Sequence, residues 1–124
     1  EFVERLAGKL INIHPSLLPD YKGLGTYERV LADKKPLHGC TVHFVTPKLD
    51  SGAHIMQASL EVTETDNEES LKERVQLMEY QIYPLIVDLI TSGRLQLKEE
   101  NVLLDSHPIE PLGYQLKENA LELV

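Results

Sequence analysis

The feature that most constrains this chain is the stretch LINIHPSLLPDYKG, which begins at Leu10 and in which an apolar run carries two polar residues before it meets two prolines. Proline fixes its own backbone angle and disfavours helix at the residue before it, so Pro15 and Pro19 prevent a regular element from continuing. The sequence therefore predicts a short strand over 9–13, followed by an ordered loop over 15–25.

Asn12 and His14 are two positions apart in this stretch. On a strand they share one face, while the isoleucines between them point to the other, and the carboxyl end of a strand in an α/β sheet is where ligands bind. An amide and a protonated imidazole can both donate to an oxygen that gains charge as a carbonyl becomes tetrahedral. The pair predicts an oxyanion site; the alternative is a histidine that bonds only to backbone or water.

A carboxylate that could assist His14 is Asp50, in the turn sequence KLDSG. An Asp-Ser-Gly turn presents its carboxylate readily, and a carboxylate near an imidazole raises the imidazole pKa and can relay a proton through water. The alternative is an aspartate that only stabilises its own turn.

Periodicity and turn residues predict the remaining elements. We expect a helix over 1–7, a helix that Thr26 caps and that runs to about Asp33, strands over 39–45 and 54–63, a hairpin around 99–101 and a mobile polar end. The longest helix should begin at Thr65 or Asp66 and end at Gly93. Its core stripe steps by three and four residues through Leu71, Val75, Met78, Ile82, Leu85 and Leu89.

A second face of the long helix carries Gln76, Glu79 and Tyr83. Residues three, four or seven apart lie on one side of a helix, so these side chains could bind hydroxyls or an amine. The alternative is a solvated helix face.

Composition excludes several classes of function. The 124 residues suffice for one domain, and 12 Lys and Arg against 20 Asp and Glu give a net charge of -8, which argues against nucleic-acid and membrane partners. Cys40 is the single cysteine, and with His38 and His43 it falls short of a zinc set, so no metal is predicted. The sequence favours a cytoplasmic protein whose partner is a small molecule or another protein.

The segments NIHPSLLPDYKG, HGCTVHFVTPKLDSGAHIMQ and RVQLMEYQIYPL closely resemble the glycinamide ribonucleotide transformylases that use 10-formyltetrahydrofolate. The resemblance implies an α/β class, namely the C-terminal part of a Rossmann-like formyltransferase fold with a mixed, mostly parallel sheet flanked by helices. It implies a catalytic and folate-binding part over 1–113 and a polar tail over 114–124. The start at Glu1 and the lack of a glycine-rich phosphate loop suggest that the first strands of that fold lie outside this chain.

Carried over residue by residue, the resemblance implies formyl transfer from 10-formyltetrahydrofolate, as co-substrate, to the amine of glycinamide ribonucleotide in purine biosynthesis, with no metal. It implies the catalytic residues Asn12, His14 and Asp50. The residues implied to contact the folate are Val3, Asn12, Val45, Thr46, Leu49 and Asp50. Gln76 and Glu79 would contact the other substrate.

Two alternatives remain at this point. One is hydrolysis of the formyl-folate by the same three residues, although His-Pro-Ser-Leu-Leu-Pro at 14–19 resembles the purine enzymes more than the hydrolases. The other is a complementation fragment that is inactive alone and binds an N-terminal half of the same enzyme.

Overall fold

The computed structural model describes residues 10–48 and 52–123. In chain order the elements are β1 (Ile11–His14), α1 (Thr26–Ala32), β2 (Leu37–Phe44), β3 (His54–Glu61), α2 (Glu68–Thr91), β4 (Leu95–Lys98), β5 (Asn101–Leu104), β6 (His107–Pro108), β7 (Tyr114–Lys117) and a 3₁₀ helix (Glu118–Leu123). The predicted strands and helices within these ranges are present, with shifted ends. The helix predicted over 1–7 lies outside the described residues.

The main sheet has the strand order β1-β2-β3-β7. The first two pairings are antiparallel, and β3 pairs with β7 in parallel. The predicted α/β class with a mixed sheet is thus confirmed. One of these three pairings is parallel, which is fewer than in the predicted, mostly parallel sheet. A parallel pair needs a long crossover, and α2 with the following hairpin provides one between β3 and β7.

Helix α2 packs against the sheet through one buried stripe. The stripe is Leu71, Val75, Met78, Ile82 and Ile86. Its last member is Ile86, four residues after Ile82, whereas the predicted Leu85 and Leu89 are only half-buried. Across the described residues, neither α2 nor any other helix is long and apolar enough to cross a membrane.

The start of α2 is fixed by a reciprocal cap. Asn67 accepts from the backbone N–H of Ser70, and the Ser70 hydroxyl accepts from the backbone N–H of Asn67. The predicted start at Thr65 or Asp66 was therefore early. Asp66 lies just before the helix, where it accepts from the Thr63 backbone N–H and from the helical side chains of Ser70 and Arg74.

The C-terminal quarter contains both a predicted and an unpredicted element. The hairpin β4–β5 turns at Glu99 and Glu100, whose φ angles of 50° and 69° suit a two-residue hairpin turn, as predicted. In place of the predicted polar tail, residues 114–117 form β7, and Leu116 packs against the core. A half-buried leucine between polar residues gives this segment the alternation of a strand.

We predict that Gly39→Ala strongly destabilises the fold. Gly39 lies in β2, and an added Cβ would stand 1.9 Å from the Ala58 carbonyl oxygen, so the β2–β3 pairing would have to shift. The expected loss is about 3 kcal/mol of unfolding free energy, measured by chemical denaturation of the protein.

The matched variant for this prediction is Gly93→Ala. Gly93 has a φ of +79° with nothing within 4 Å of an added Cβ, so only backbone strain is introduced. A loss of about 1 kcal/mol is expected there. Equal losses for the two variants would contradict the predicted clash.

Candidate active site

His14 ends β1 and is fixed by the loop that follows it. Its side chain is 4% exposed, and its Nε2 lies 2.7 Å from the carbonyl oxygen of Tyr21. A carbonyl oxygen only accepts, so Nε2 carries a hydrogen and donates it. The ring nitrogen that His14 presents to other groups is therefore Nδ1.

A row of polar side chains crosses the sheet from His14. In register, His14 is opposite Thr41, Thr41 is opposite Gln57, and Gln57 is opposite Gln115. Cross-strand partners share a face, so all four side chains lie on one side of the sheet. Gln57 Nε2 donates to Thr41 Oγ1 at 3.0 Å, and Gln115 Nε2 donates to Gln57 Oε1 at 3.0 Å.

This row holds the loop after β1 by its backbone. The Thr41 hydroxyl donates to the Ser16 carbonyl at 2.7 Å and accepts from the Leu18 N–H at 3.0 Å. Gln57 Nε2 also donates to the Leu18 carbonyl at 2.8 Å. Because Thr41, Gln57, Ser16 and Leu18 are all buried, these bonds are shielded from water, and they tie the first part of the loop to the interior.

A surface groove of about 370 Å³ lies beside Asn12. Its lining is Leu10, Ile11, Asn12, His43, Val45, Thr46, Pro47 and Lys48. The structure thus brings together three of the predicted folate contacts, namely Asn12, Val45 and Thr46. The other predicted residues of this set, Val3, Leu49 and Asp50, lie outside the described residues.

The predicted pair Gln76 and Glu79 lies on α2, and Glu79 is only partly exposed. Burial raises the pKa of Glu79, and its charge contributes to raising the pKa values of Tyr27 and Cys40. Neighbouring residues of a strand point to opposite faces, so Glu79 approaches β2 from the side opposite to Thr41.

The polar groups on the helix side of β2 are held neutral by burial. Burial lowers the pKa of His38 to about 4, with a smaller contribution from the charge of His14. Burial also raises the pKa of the Cys40 thiol to about 12. The ring of Tyr27 meets that of His38 edge-on, with centroids 5.5 Å apart. His14 therefore has an uncharged histidine as its neighbour near neutral pH.

Sequence reasoning missed the residues that support the site. Thr41, Gln57 and Gln115 are polar residues in strands, and Thr41 and Gln57 are buried. A buried polar residue requires hydrogen-bond partners, so their presence within the strand patterns was an available signal. The role of Tyr21 is carried by its backbone carbonyl, which gives no signal in the sequence.

A family model described as formyl transferase matches residues 1–87. The chain is 45% identical over 114 residues to phosphoribosylglycinamide formyltransferase of Haemophilus influenzae, covering 92% of this chain and 54% of that protein. The match with the family model covers more than half of the chain. The chain therefore belongs to the formyl transferase family, and it spans about half the length of the curated relatives that it matches.

Solved structures agree with this assignment. Phosphoribosylglycinamide formyltransferase from Coxiella burnetii superposes with a TM-score of 0.89 at 45% identity, covering 93% of this chain and 54% of that one. A formyltetrahydrofolate deformylase from Pseudomonas syringae gives 0.78 at 25% identity, covering 83% and 35%. These likenesses confirm the formyltransferase fold that the sequence motifs predicted.

We predict that Thr41→Val destabilises the protein and loosens the loop. Valine has a similar shape but forms no hydrogen bonds, so the Ser16 carbonyl, the Leu18 N–H and the Gln57 amide each lose a buried partner. The expected cost is about 2–4 kcal/mol, measured by denaturation, together with faster hydrogen exchange at the Leu18 amide. Thr41→Ser keeps the hydroxyl and should keep most of the protection; equal protection in the valine variant would contradict the assignment.

We predict that Glu79→Gln changes how stability depends on pH. The folded-state pKa of Glu79 is raised above its ordinary value of 4.5, so the wild type loses stability as the pH rises from about 4.5 through the raised pKa. Glutamine does not ionise, so the stability of the variant does not fall for this reason. Relative to the wild type, the unfolding free energy of the variant should therefore increase across that pH range. Thermal unfolding at several pH values measures the difference, and exposed Glu73→Gln is the matched control. Parallel curves for Glu79→Gln and wild type would contradict it.

Proposed function

We propose that this chain carries the catalytic and folate-binding part of an enzyme that transfers a formyl group from 10-formyltetrahydrofolate to the amine of glycinamide ribonucleotide. The observation that carries the proposal is that Asn12 and His14 lie on one short strand in a member of the formyl transferase family. The loop after this strand fixes His14 through the Tyr21 carbonyl, and the exposed Asn12 lines a groove. This arrangement supports the oxyanion site that the sequence predicts.

In the proposed reaction, Asn12 and His14 donate hydrogen bonds to the formyl oxygen. Nε2 of His14 already donates to the Tyr21 carbonyl, so a donor at Nδ1 requires the doubly protonated, cationic ring. A cation and an amide are suited to the negative charge that develops on oxygen in the tetrahedral intermediate. His38, kept neutral by burial, adds no competing positive charge nearby.

The proton and bond changes follow from this arrangement. The amine nitrogen of glycinamide ribonucleotide attacks the formyl carbon, and the formyl oxygen takes the electron pair of its double bond. When that pair returns, the bond to N10 of the folate breaks. The amine loses one proton and N10 gains one. We propose that Asp50 relays this proton through water and that its negative charge stabilises the protonated ring of His14.

The proposed substrate contacts divide between the groove and α2. Val3, Val45, Thr46 and Leu49 would contact the folate, partly through backbone groups, and the groove beside Asn12 supports this for the two of them that line it. Gln76 and Glu79 would contact glycinamide ribonucleotide from α2. No metal takes part in this proposal, since positioning and hydrogen bonds provide the stabilisation.

The remainder of a formyltransferase domain would supply the phosphate-binding loop, because the chain spans about half the length of its relatives. We therefore propose an N-terminal half of the same enzyme as the natural partner of this chain. We place the reaction in the cytoplasm, and a net charge of -8 gives no support to nucleic acid or a membrane as a partner.

Hydrolysis of the formyl-folate is the second candidate, because the fold is also that of a formyltetrahydrofolate deformylase. Water would then replace the amine at the same residues. Formate release in the absence of glycinamide ribonucleotide would favour hydrolysis, whereas a product that forms only with the amine would favour transfer.

We predict that His14→Ala or Asn12→Ala, in the full natural polypeptide, lowers kcat by on the order of 10²–10³ because an oxyanion donor is lost. Steady-state formyl transfer measures the effect, with the exposed Gln96→Ala variant on β4 as the control. Near-normal turnover in His14→Ala would refute the mechanism.

A further inference from the structure

The residue that holds His14 has an unfavourable backbone conformation. Tyr21 has a φ of 54°, in the left-handed region that residues with a side chain seldom adopt. Such a conformation is strained, and it persists only where other contacts maintain it. The hydrogen bond between the Tyr21 carbonyl and His14 therefore depends on the contacts that the Tyr21 side chain makes.

Those interactions come from α1. The Tyr21 hydroxyl donates to Asp33 Oδ2 at 2.5 Å, and Asp33 is the C-terminal cap of α1. The guanidinium of Arg29 lies over the Tyr21 ring, 5.4 Å from its centroid. Arg29 Nη2 also donates to the Lys22 carbonyl at 2.7 Å. Helix α1 and its cap thus contact both the side chain of Tyr21 and the backbone of Lys22.

The Tyr21 contacts are distinct from those of the polar row. Thr41 and Gln57 hold the loop at Ser16 and Leu18, three or more residues before Tyr21. Loss of the Tyr21 hydroxyl leaves those buried bonds in place. The hydroxyl therefore acts on the position of one carbonyl and leaves the rest of the loop anchored.

We propose that Tyr21, through its hydroxyl bond to Asp33, is a positioning residue that fixes the orientation of the His14 ring and, whenever that ring is neutral, its tautomer. With the Tyr21 carbonyl in place, Nε2 keeps its hydrogen and Nδ1 is directed to the reaction. The bond to Asp33 raises the pKa of Tyr21 to about 12, so the phenol remains a donor throughout the neutral range. The effect on turnover rests on the proposed function, whereas the effect on the His14 ring does not.

The first test is the ring of His14 in the full natural polypeptide, observed by ¹⁵N NMR with labelled histidine. In the wild type we expect a single Nε2–H form when the ring is neutral, since the carbonyl accepts only from that nitrogen. In Tyr21→Phe and in Asp33→Ala we expect a mixture of the two neutral tautomers. Tyr80→Phe, at a tyrosine that is 73% exposed on α2, is the matched control and should leave the ring unchanged.

The second test is kinetic. Tyr21→Phe and Asp33→Ala should each lower kcat by about ten- to a hundredfold, since a small displacement of a reacting group has an effect of this size, with KM changed less than twofold. The double variant should be no slower than the more affected single variant, because both changes break one bond. Tyr80→Phe should keep wild-type kcat.

The outcomes separate this proposal from the proposed function. Wild-type His14 signals in both Tyr21→Phe and Asp33→Ala would overturn the positioning role, as would losses that multiply in the double variant. If the wild type transfers no formyl group, the proposed function fails and the NMR experiment alone decides the role of Tyr21. Since the two variants break the bond from opposite sides, misfolding of one leaves the other to decide.

Discussion

The hydroxyl of Thr41 is the interaction on which the candidate site depends. It stands at the junction of the strand that carries His14, the loop that follows it and the strand that carries Gln57, and it both donates and accepts there. Because the hydroxyl is buried, none of its partners could turn to water if it were lost. The conformation of the loop, and through it the position of the Tyr21 carbonyl, is thus tied to the middle of the sheet.

The two faces of β2 have different electrostatic roles. On the loop side, polar groups satisfy one another by hydrogen bonds between neutral partners. On the helix side, burial holds His38 and Cys40 in their uncharged forms and disfavours the charge on Glu79. A positive charge on His14 would therefore meet no repulsion from His38, which is neutral near neutral pH.

Much of the fold could be predicted from the sequence because local signals determine it. The apolar stripe of α2, the turn at Glu99 and the prolines after His14 each act within a few residues. Strand β7 has a single half-buried leucine as its local signal, and its pairing with β3, which is distant in the sequence, could not be predicted from so short a pattern. The site divides similarly: Asn12 and His14 follow from alternation on one strand, whereas the tautomer of His14 depends on a backbone carbonyl that no side-chain pattern reveals. Asp50 remains a prediction.

The polar row also has a consequence for the order of folding. Its hydrogen bonds join residues 25, 39 and 58 positions apart, so they form only after the intervening chain has been brought together. Contacts of long sequence separation carry a large loop-closure entropy and tend to form late. Helix α2 and the β4–β5 hairpin, whose contacts are local, can form before them. The final shape of the loop beside His14 therefore depends on strand pairings between distant parts of the chain.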